Sequence, residues 1–199
     1  MFVQVLQGTV RDPDAVRARV DEWNERLGPT ADGWLGTTEG ATDDGTYLAV
    51  VRFRDEEAAR RNSERPEQTA WWNTVKPLFD EVEFHDYVNT ATMLGGGSDD
   101  AGFVQIIQGT YRGDRDPAEM SPDDPKMAEV RPDVLGGLMA FDDSGHFTQT
   151  VYFTSEEAAR EGEQAMASET EMAEEMNEWM AAVEGLTFFD LRSPRMTSP

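Results

Sequence analysis

The sequence contains no cysteine. Disulfides, thiol nucleophiles and cysteine-ligated zinc or iron–sulfur centres are thereby excluded. Histidine is nearly absent too: His85 and His146 lie far apart, and with the dispersed acids they form no recognisable ligand set, so no metal is expected. Positive charge is scarce. The formal net charge is −23, split as −8 over residues 1–94 and −15 over the remainder. Such a surface repels phosphate backbones and anionic lipid, so neither nucleic acid nor membrane is expected as a partner. Lysine numbers 2 against 15 arginines, which fits a GC-rich genome or adaptation to salt. No apolar run approaches the ~20 residues of a spanning helix. The opening MFVQVLQGTV lacks a basic flank and reads as a strand, not a signal peptide, so a cytoplasmic location is expected. There is no G-x-G-x-x-G, phosphate loop or nucleophile elbow. Gly95-Gly96-Gly97 precedes a strand rather than a helix and lacks phosphate-binding geometry, and no cofactor is expected.

What is present is a duplication. Phe2–Asp12 reads FVQVLQGTVRD and Phe103–Gly113 reads FVQIIQGTYRG, identical at seven of eleven positions. Tyr47–Arg60 (YLAVVRFRDEEAAR) matches Phe147–Arg160 (FTQTVYFTSEEAAR) at seven of fourteen. Self-similarity at nearly one spacing, 101 residues for the first block and 100 for the second, marks a repeated structural unit. The units are expected at 1–91 and 103–192, joined by a glycine-rich linker over 92–102 and followed by a loosely ordered tail at 193–199.

Each unit has one order of elements. Phe2–Thr9 is a strand by composition. Asp12-Pro13 supplies a cap and a first-turn proline, Val16, Val20, Trp23 and Leu27 follow at helical spacing, and Gly28-Pro29 stops the helix. Trp34–Gly40 and Thr46–Arg54 form a hairpin around Asp43-Asp44-Gly45. Asp55 caps a second helix, which Pro66 breaks and restarts, and Glu83–Val88 is the last strand. This β-α-β-β-α-β pattern is the ferredoxin-like order. The fold class is therefore α+β, with two tandem ferredoxin-like units. Each leaves one sheet face bare, so the two are expected to close as an intramolecular, barrel-like pseudo-dimer; further homodimerisation stays open. In the second unit, four prolines within Asp116–Asp133 allow only a short helix or an irregular loop. Its second helix carries Met166, Met172, Met176, Trp179, Met180 and Val183, and Ser168-x-x-Glu171 reads as a capping box.

The strand FVQVLQGTV, the segment VVRFRDEEAARRNSERPEQTAWW and the strand VEFHDY resemble the dimeric α/β-barrel superfamily, and within it the antibiotic-biosynthesis-monooxygenase (ABM) group. VYFTSEEAAR and LTFFDL repeat the signature. The resemblance implies a barrel cavity for small molecules and activities from cofactor-independent oxygenation to haem degradation. Haem degraders need an asparagine on the first strand and a tryptophan and a histidine on the second helix. Leu6, Asn62 and Trp71 stand at those positions, so haem degradation is not implied. Quinone-forming members use asparagine, tryptophan, tyrosine and arginine, and Asn62, Trp71, Trp72 and Arg52 are similar types in a similar region.

Alternation places Phe2, Gln4 and Leu6 toward the cavity with Leu48, Val50 and Arg52, while Tyr47, Ala49, Val51 and Phe53 pack under the helices. Counterparts in the second unit are Phe103, Gln105 and Ile107 with Thr148, Thr150 and Tyr152. Gln4 and Gln105 are retained on otherwise apolar strands, as a hydrogen bond between units or as ligand contacts. Trp71 and Trp72 point about 100° apart on a helix, so one can be core and the other an aromatic wall. Arg52 is a salt-bridge partner or an anchor for an anionic or keto-bearing ligand. His85 is structural or a proton carrier. The ligand-binding candidates are thus Gln4, Arg52, Asn62, Trp71, Trp72, His85, Gln105 and Tyr152, with any cavity placed in the first unit against Trp71 and Trp72. The expected function is binding of a small aromatic or apolar molecule. The alternatives are cofactor-independent oxygenation of an aromatic or polyketide-like substrate, and a structural role with a filled barrel.

Overall fold

The computed structural model describes residues 1–114, 125–167 and 170–199. Asp12 and Pro13 convert the first strand, β1 (Phe2–Val10), into the first helix, α1 (Pro13–Arg26): the Asp12 carboxylate accepts the Ala15 N–H at 3.1 Å. β2 (Trp34–Ala41) and β3 (Thr46–Phe53) form the hairpin, turned by Gly45 at φ +86°. α2 (Glu56–Ser63) is capped by Asp55, and Arg65 in an extended conformation separates it from α3 (Pro66–Val75), as the residue before a proline should. β4 (Phe79–Tyr87) closes the first repeat.

The second repeat follows the same plan. β5 (Asn89–Met93) precedes β6 (Phe103–Tyr111), α4 (Pro125–Val130), β7 (Val134–Phe141) and β8 (His146–Phe153). α5 (Glu156–Met166), α6 (Thr170–Ala181) and β9 (Val183–Leu191) complete it, and β10 (Arg195–Thr197) is the last strand. α4 is a short helix of six residues; residues 116–124 of the proline-rich segment, and Ser168 of the expected capping box, lie outside the described residues. α5 is capped by Ser155, whose Oγ accepts the Ala158 N–H at 3.2 Å. Ser155→Ala should cost about 1 kcal/mol, measured as a lowered urea midpoint with unchanged slope.

Both sheets are antiparallel and five-stranded, in the orders β10-β2-β3-β1-β4 and β5-β7-β8-β6-β9. The four consecutive strands β2-β3-β1-β4 and β7-β8-β6-β9 have the ferredoxin-like order. The fifth strand corrects the expected boundaries. Residues 89–93, placed in the first unit and the linker, pair as β5 with β7, and the tail, expected to be loose, pairs as β10 with β2. The compact units are therefore Met1–Val88 with Ser193–Pro199, and Asn89–Arg192. The physical reason is edge protection: an unpaired hairpin edge exposes a row of N–H and C=O groups, which an added strand satisfies.

Register also corrects the expected faces. β1 pairs with β3 as Phe2↔Phe53, Gln4↔Val51 and Leu6↔Ala49, and directly paired residues share a face. Phe2, Gln4 and Leu6 thus lie with Tyr47, Ala49, Val51 and Phe53, under the helices. Leu48, Val50 and Arg52 lie on the opposite face with Val3 and Val5. The second unit repeats this: Gln105 pairs with Val151, and Tyr152 with Val104. Under the first sheet, Phe2, Trp23, Trp34, Phe53 and Ala58 make one core cluster, and Val10, Val16, Tyr47, Ala49, Val75 and Phe79 another. In the second unit Phe103, Val134, Val151, Phe153 and Ala159 pack together. The repeated Gln-Gly-Thr has a packing cause. A Cβ on Gly8 would sit 2.4 Å from the Glu81 carbonyl, and one on Gly109 2.7 Å from Val183.

Candidate functional site

Between the helix-facing surface of the first sheet and α1, α2 and α3 there is a cavity of about 370 Å³. Trp23, Tyr47, Phe53, Trp71, Trp72, Phe79 and Phe84 bring aromatic rings to its lining, and their packing reaches Trp34 behind it. Trp23 meets Trp34 edge-on at 4.9 Å and Trp71 at 6.4 Å; Trp71 meets Trp72 at 6.2 Å; Trp72 meets Phe84 edge-on at 5.4 Å and Phe79 at 6.3 Å. Two indoles are pinned by their N–H groups. Trp23 donates to Gln68 Oε1 at 2.6 Å and Trp71 to the Arg19 carbonyl at 2.8 Å. These bonds fix ring orientation, so the wall is set before any ligand arrives.

Polar side chains reach the lining from several elements, among them Gln4, Asn24, Thr37, Asn62 and Gln68. Glu39 on β2 and Tyr47 on β3 both line the cavity and are each 4% exposed. The Tyr47 hydroxyl donates to the Glu39 carboxylate at 2.5 Å. Burial pushes the Glu39 carboxyl up to about 7, against the opposing pull of the Tyr47 hydrogen bond and the Arg195 charge. Burial also raises the Tyr47 phenol well above its ordinary value, with the Glu39 charge second, so the phenol keeps its proton. Arg195, the β10 partner of Glu39 in register, forms an ion pair with Asp21 of α1. That hydrogen bond holds the Asp21 carboxyl below the usual range and raises the Arg195 guanidinium. Asn24, also in the lining, donates through Nδ2 to Thr197 Oγ1 at 3.2 Å, while its buried Oδ1 has no partner.

Of the eight residues chosen from the sequence, Gln4, Asn62, Trp71 and Trp72 line this cavity. Asn62 is buried and accepts from Arg65 Nη1 at 3.1 Å. Gln4 donates to Asp86 at 2.8 Å, and its counterpart Gln105 donates to Asp190 at 2.9 Å. The two glutamines thus tie β1 to β4 and β6 to β9. The remaining four are elsewhere. Arg52 lies on the far face of the first sheet, and its buried Nε has no hydrogen-bond partner. His85 pairs in register with Val5, on that same far face, and its ring is 3.7 Å from Glu83. Gln105 and Tyr152 belong to the second unit, Tyr152 being fully buried opposite the helices.

The sequence reading missed Glu39 and Tyr47. A signal existed in the repeat. Glu39 corresponds to Met139 and Tyr47 to Phe147, at the same positions of the two hairpins. An acid–phenol pair in one unit is a thioether–phenyl pair in the other. Among the described residues no group of three His, Asp or Glu side chains is placed to hold a metal ion. Among them also, no helix is long and apolar enough to cross a membrane.

No family model matches the chain, and no curated protein does. Solved structures match over the full length. One, described as a "putative monooxygenase" from Lactobacillus acidophilus NCFM, aligns with a TM-score of 0.72 at 13% identity, covering 99% of this chain and 95% of its own. Another of the same description, from Fusobacterium nucleatum subsp. nucleatum, gives 0.72 at 8% identity, covering 99% and 94%. An "anthrone oxidase-like protein" gives 0.61 at 12% identity, covering 98% and 92%. At these identities the likeness is one of fold.

Proposed function

We propose, for a chain with the tandem ABM-like fold of the dimeric α/β-barrel class, that the cavity of the first unit binds a small, flat, largely apolar molecule of aromatic character. The observation that carries this reading is the wall of indole and phenyl rings around about 370 Å³ of empty space, a volume within the range of small-molecule sites. Close-packed interiors leave few voids larger than a water, so a side-chain-filled core is a poor account of the first unit. Pinned indoles present fixed faces, which lowers the ordering cost of stacking a planar ligand. The second unit replaces Trp72 by Met176, so the two units are not equivalent sites.

The test is calorimetric titration of the full chain with planar arenes such as 2-naphthol. Trp72→Ala should weaken binding about tenfold, the loss of one ring contact with its buried area. Trp179→Ala, in the second unit, should leave affinity within about twofold, a difference near the noise of such titrations. Equal losses in both variants would contradict the placement.

One observation favours a second reading, cofactor-independent oxygenation of an aromatic substrate. Glu39, with its carboxyl pushed up to about 7, is placed as a general base inside the cavity. It would take a proton from an acidic C–H of the substrate, and the resulting carbanion would itself reduce O₂. The full-length structural neighbours described as monooxygenases are consistent with that chemistry. An oxygen electrode decides it: consumption dependent on an enolisable arene and lost in Glu39→Gln supports this reading, and its absence leaves binding alone.

A further inference from the structure

We propose that the Glu39–Tyr47 pair is a recognition site for a hydrogen-bond donor, so that the first unit's cavity selects planar arenes bearing an O–H or N–H group and disfavours aromatic carboxylates. The proposal rests on the reading that this cavity binds a planar arene, and it names the chemical class of that ligand.

Glu39 has unfilled acceptor capacity. An ionised carboxylate offers about four lone-pair sites. Among the described residues the Tyr47 hydroxyl is the one hydrogen-bond donor to Glu39. Arg195 acts on Glu39 through its charge, its guanidinium being committed to Asp21. A second acceptor in the same lining, Asn24 Oδ1, is buried without a partner. Buried acceptors left unmatched are costly, and a ligand donor removes that cost. A ligand carboxylate would instead bring a second negative charge against Glu39, a carboxyl that is itself buried.

Comparison of the two units says that the fold does not need the pair. Met139 and Phe147 hold the equivalent places with apolar groups, and the strands around them keep the same register. Replacing buried polar pairs by apolar ones of similar volume is commonly neutral or stabilising. A buried acid kept in one unit and absent from the other is therefore better explained by what it contacts in the cavity than by packing.

The same pair makes selection depend on pH. The charged and titratable groups acting on Glu39 are Tyr47 from β3, Arg195 from β10, and Arg17 and Asp21 from α1. Arginines hold their charge across the neutral range. Tyr47 is raised and Asp21 lowered away from neutrality, which leaves Glu39 to titrate near 7. An arene donor binds best to the ionised carboxylate, so its affinity rises from pH 6 to pH 8 and binding near pH 7 releases a proton. An arene carboxylate needs Glu39 protonated, so its affinity falls over the same range and binding takes up a proton.

The experiment is titration calorimetry of the full chain with naphthalene, 2-naphthol and 2-naphthoate at pH 6 and pH 8. The expected result at pH 8 is 2-naphthol bound about tenfold or more tightly than naphthalene, as a hydrogen bond to a charged acceptor implies. 2-Naphthoate should be weakest at pH 8 and improve at pH 6. E39Q should flatten both pH dependences. E39M, which copies the second unit, should bring 2-naphthol and naphthalene within about twofold, no more than a residual polarity effect. Naphthalene matching 2-naphthol in the unmutated chain, or a pH dependence that survives E39Q, overturns the proposal while leaving the aromatic cavity intact. Failure of all three ligands to bind overturns the cavity reading, and the proposal with it.

Discussion

At pH 8, Glu39→Gln should stabilise the protein by about 3 kcal/mol, and at pH 5 by only about 1 kcal/mol, the difference following from proton linkage. Glu39 is raised on folding, from an ordinary 4.5 to about 7. Below pH 4.5 both folded and unfolded chains carry the proton, and the shift has no effect. Between 4.5 and 7 the unfolded chain releases it while the folded chain holds it, so stability falls as pH rises. Above 7 the full cost of a buried charge is present and constant. An amide of the same shape carries no such charge, and its carbonyl still accepts the Tyr47 hydroxyl. Urea unfolding at the two pH values reads the result directly. Equal gains at both would place the carboxyl at its ordinary value and remove the basis for calling it a buried, strained group.

The second large effect is expected in the other unit. Arg131→Met should destabilise by about 3–5 kcal/mol, the cost of leaving a buried carboxylate unpaired. Arg131 and Asp133 are nearly inaccessible, with side chains 6% and 7% exposed. Arg131 Nε and Nη2 donate to the two Asp133 oxygens at 3.0 and 2.8 Å. The guanidinium also lies over the Phe153 ring at 5.6 Å. Gly162 on α5 makes the room: a Cβ there would stand 2.4 Å from Arg131 Nε. Removing both partners, Arg131→Met with Asp133→Ala, should cost less than Arg131→Met alone. A double variant as unstable as the sum of the singles would show that the pair is not coupled.

That ion pair also accounts for a difference between the units that bears on the cavity. The first unit has Ala31, Gly33 and Asn62 where the second has Arg131, Asp133 and Gly162, with matching backbone bonds from Trp34 to Ala31 and from Val134 to Arg131. Without a buried ion pair to accommodate, the second-helix position can carry a side chain, and Asn62 reaches the cavity lining. The buried polar pair therefore lies just before the first hairpin strand in the second unit, and beside the hairpin turn in the first.

The duplicated blocks, the hairpin turns and the capping residues made the unit fold legible in the sequence. Trp71 and Trp72 were legible as an aromatic wall because helical spacing puts at least one of two adjacent indoles toward the sheet. Strand faces were not legible. Val3 and Val5 are as fully buried as Phe2 is, so the alternation that assigns a face has no contrast on β1. Alternation alone puts Arg52 and Gln4 on one face, and the β1–β3 register separates them. β5 and β10 were invisible for another reason: short edge strands are defined by the strand they pair with, which lies far away in sequence. Glu39 reads as a solvent-facing acid in a threonine-rich strand, and only the packing of α1, β3 and β10 around it makes it a buried one.

The central claim is that an aromatic ligand occupies the first unit beneath its helices. The chain has five tryptophans, four of them at 23, 34, 71 and 72 and the fifth at 179 in the second unit. Indole N–H signals in a nitrogen-15 correlation spectrum, followed during titration with 2-naphthol, test it most directly. Saturable shifts of the Trp23, Trp71 and Trp72 signals with Trp179 unmoved are the result this account requires. Shifts confined to Trp179, or no saturable shift at any indole, would contradict it.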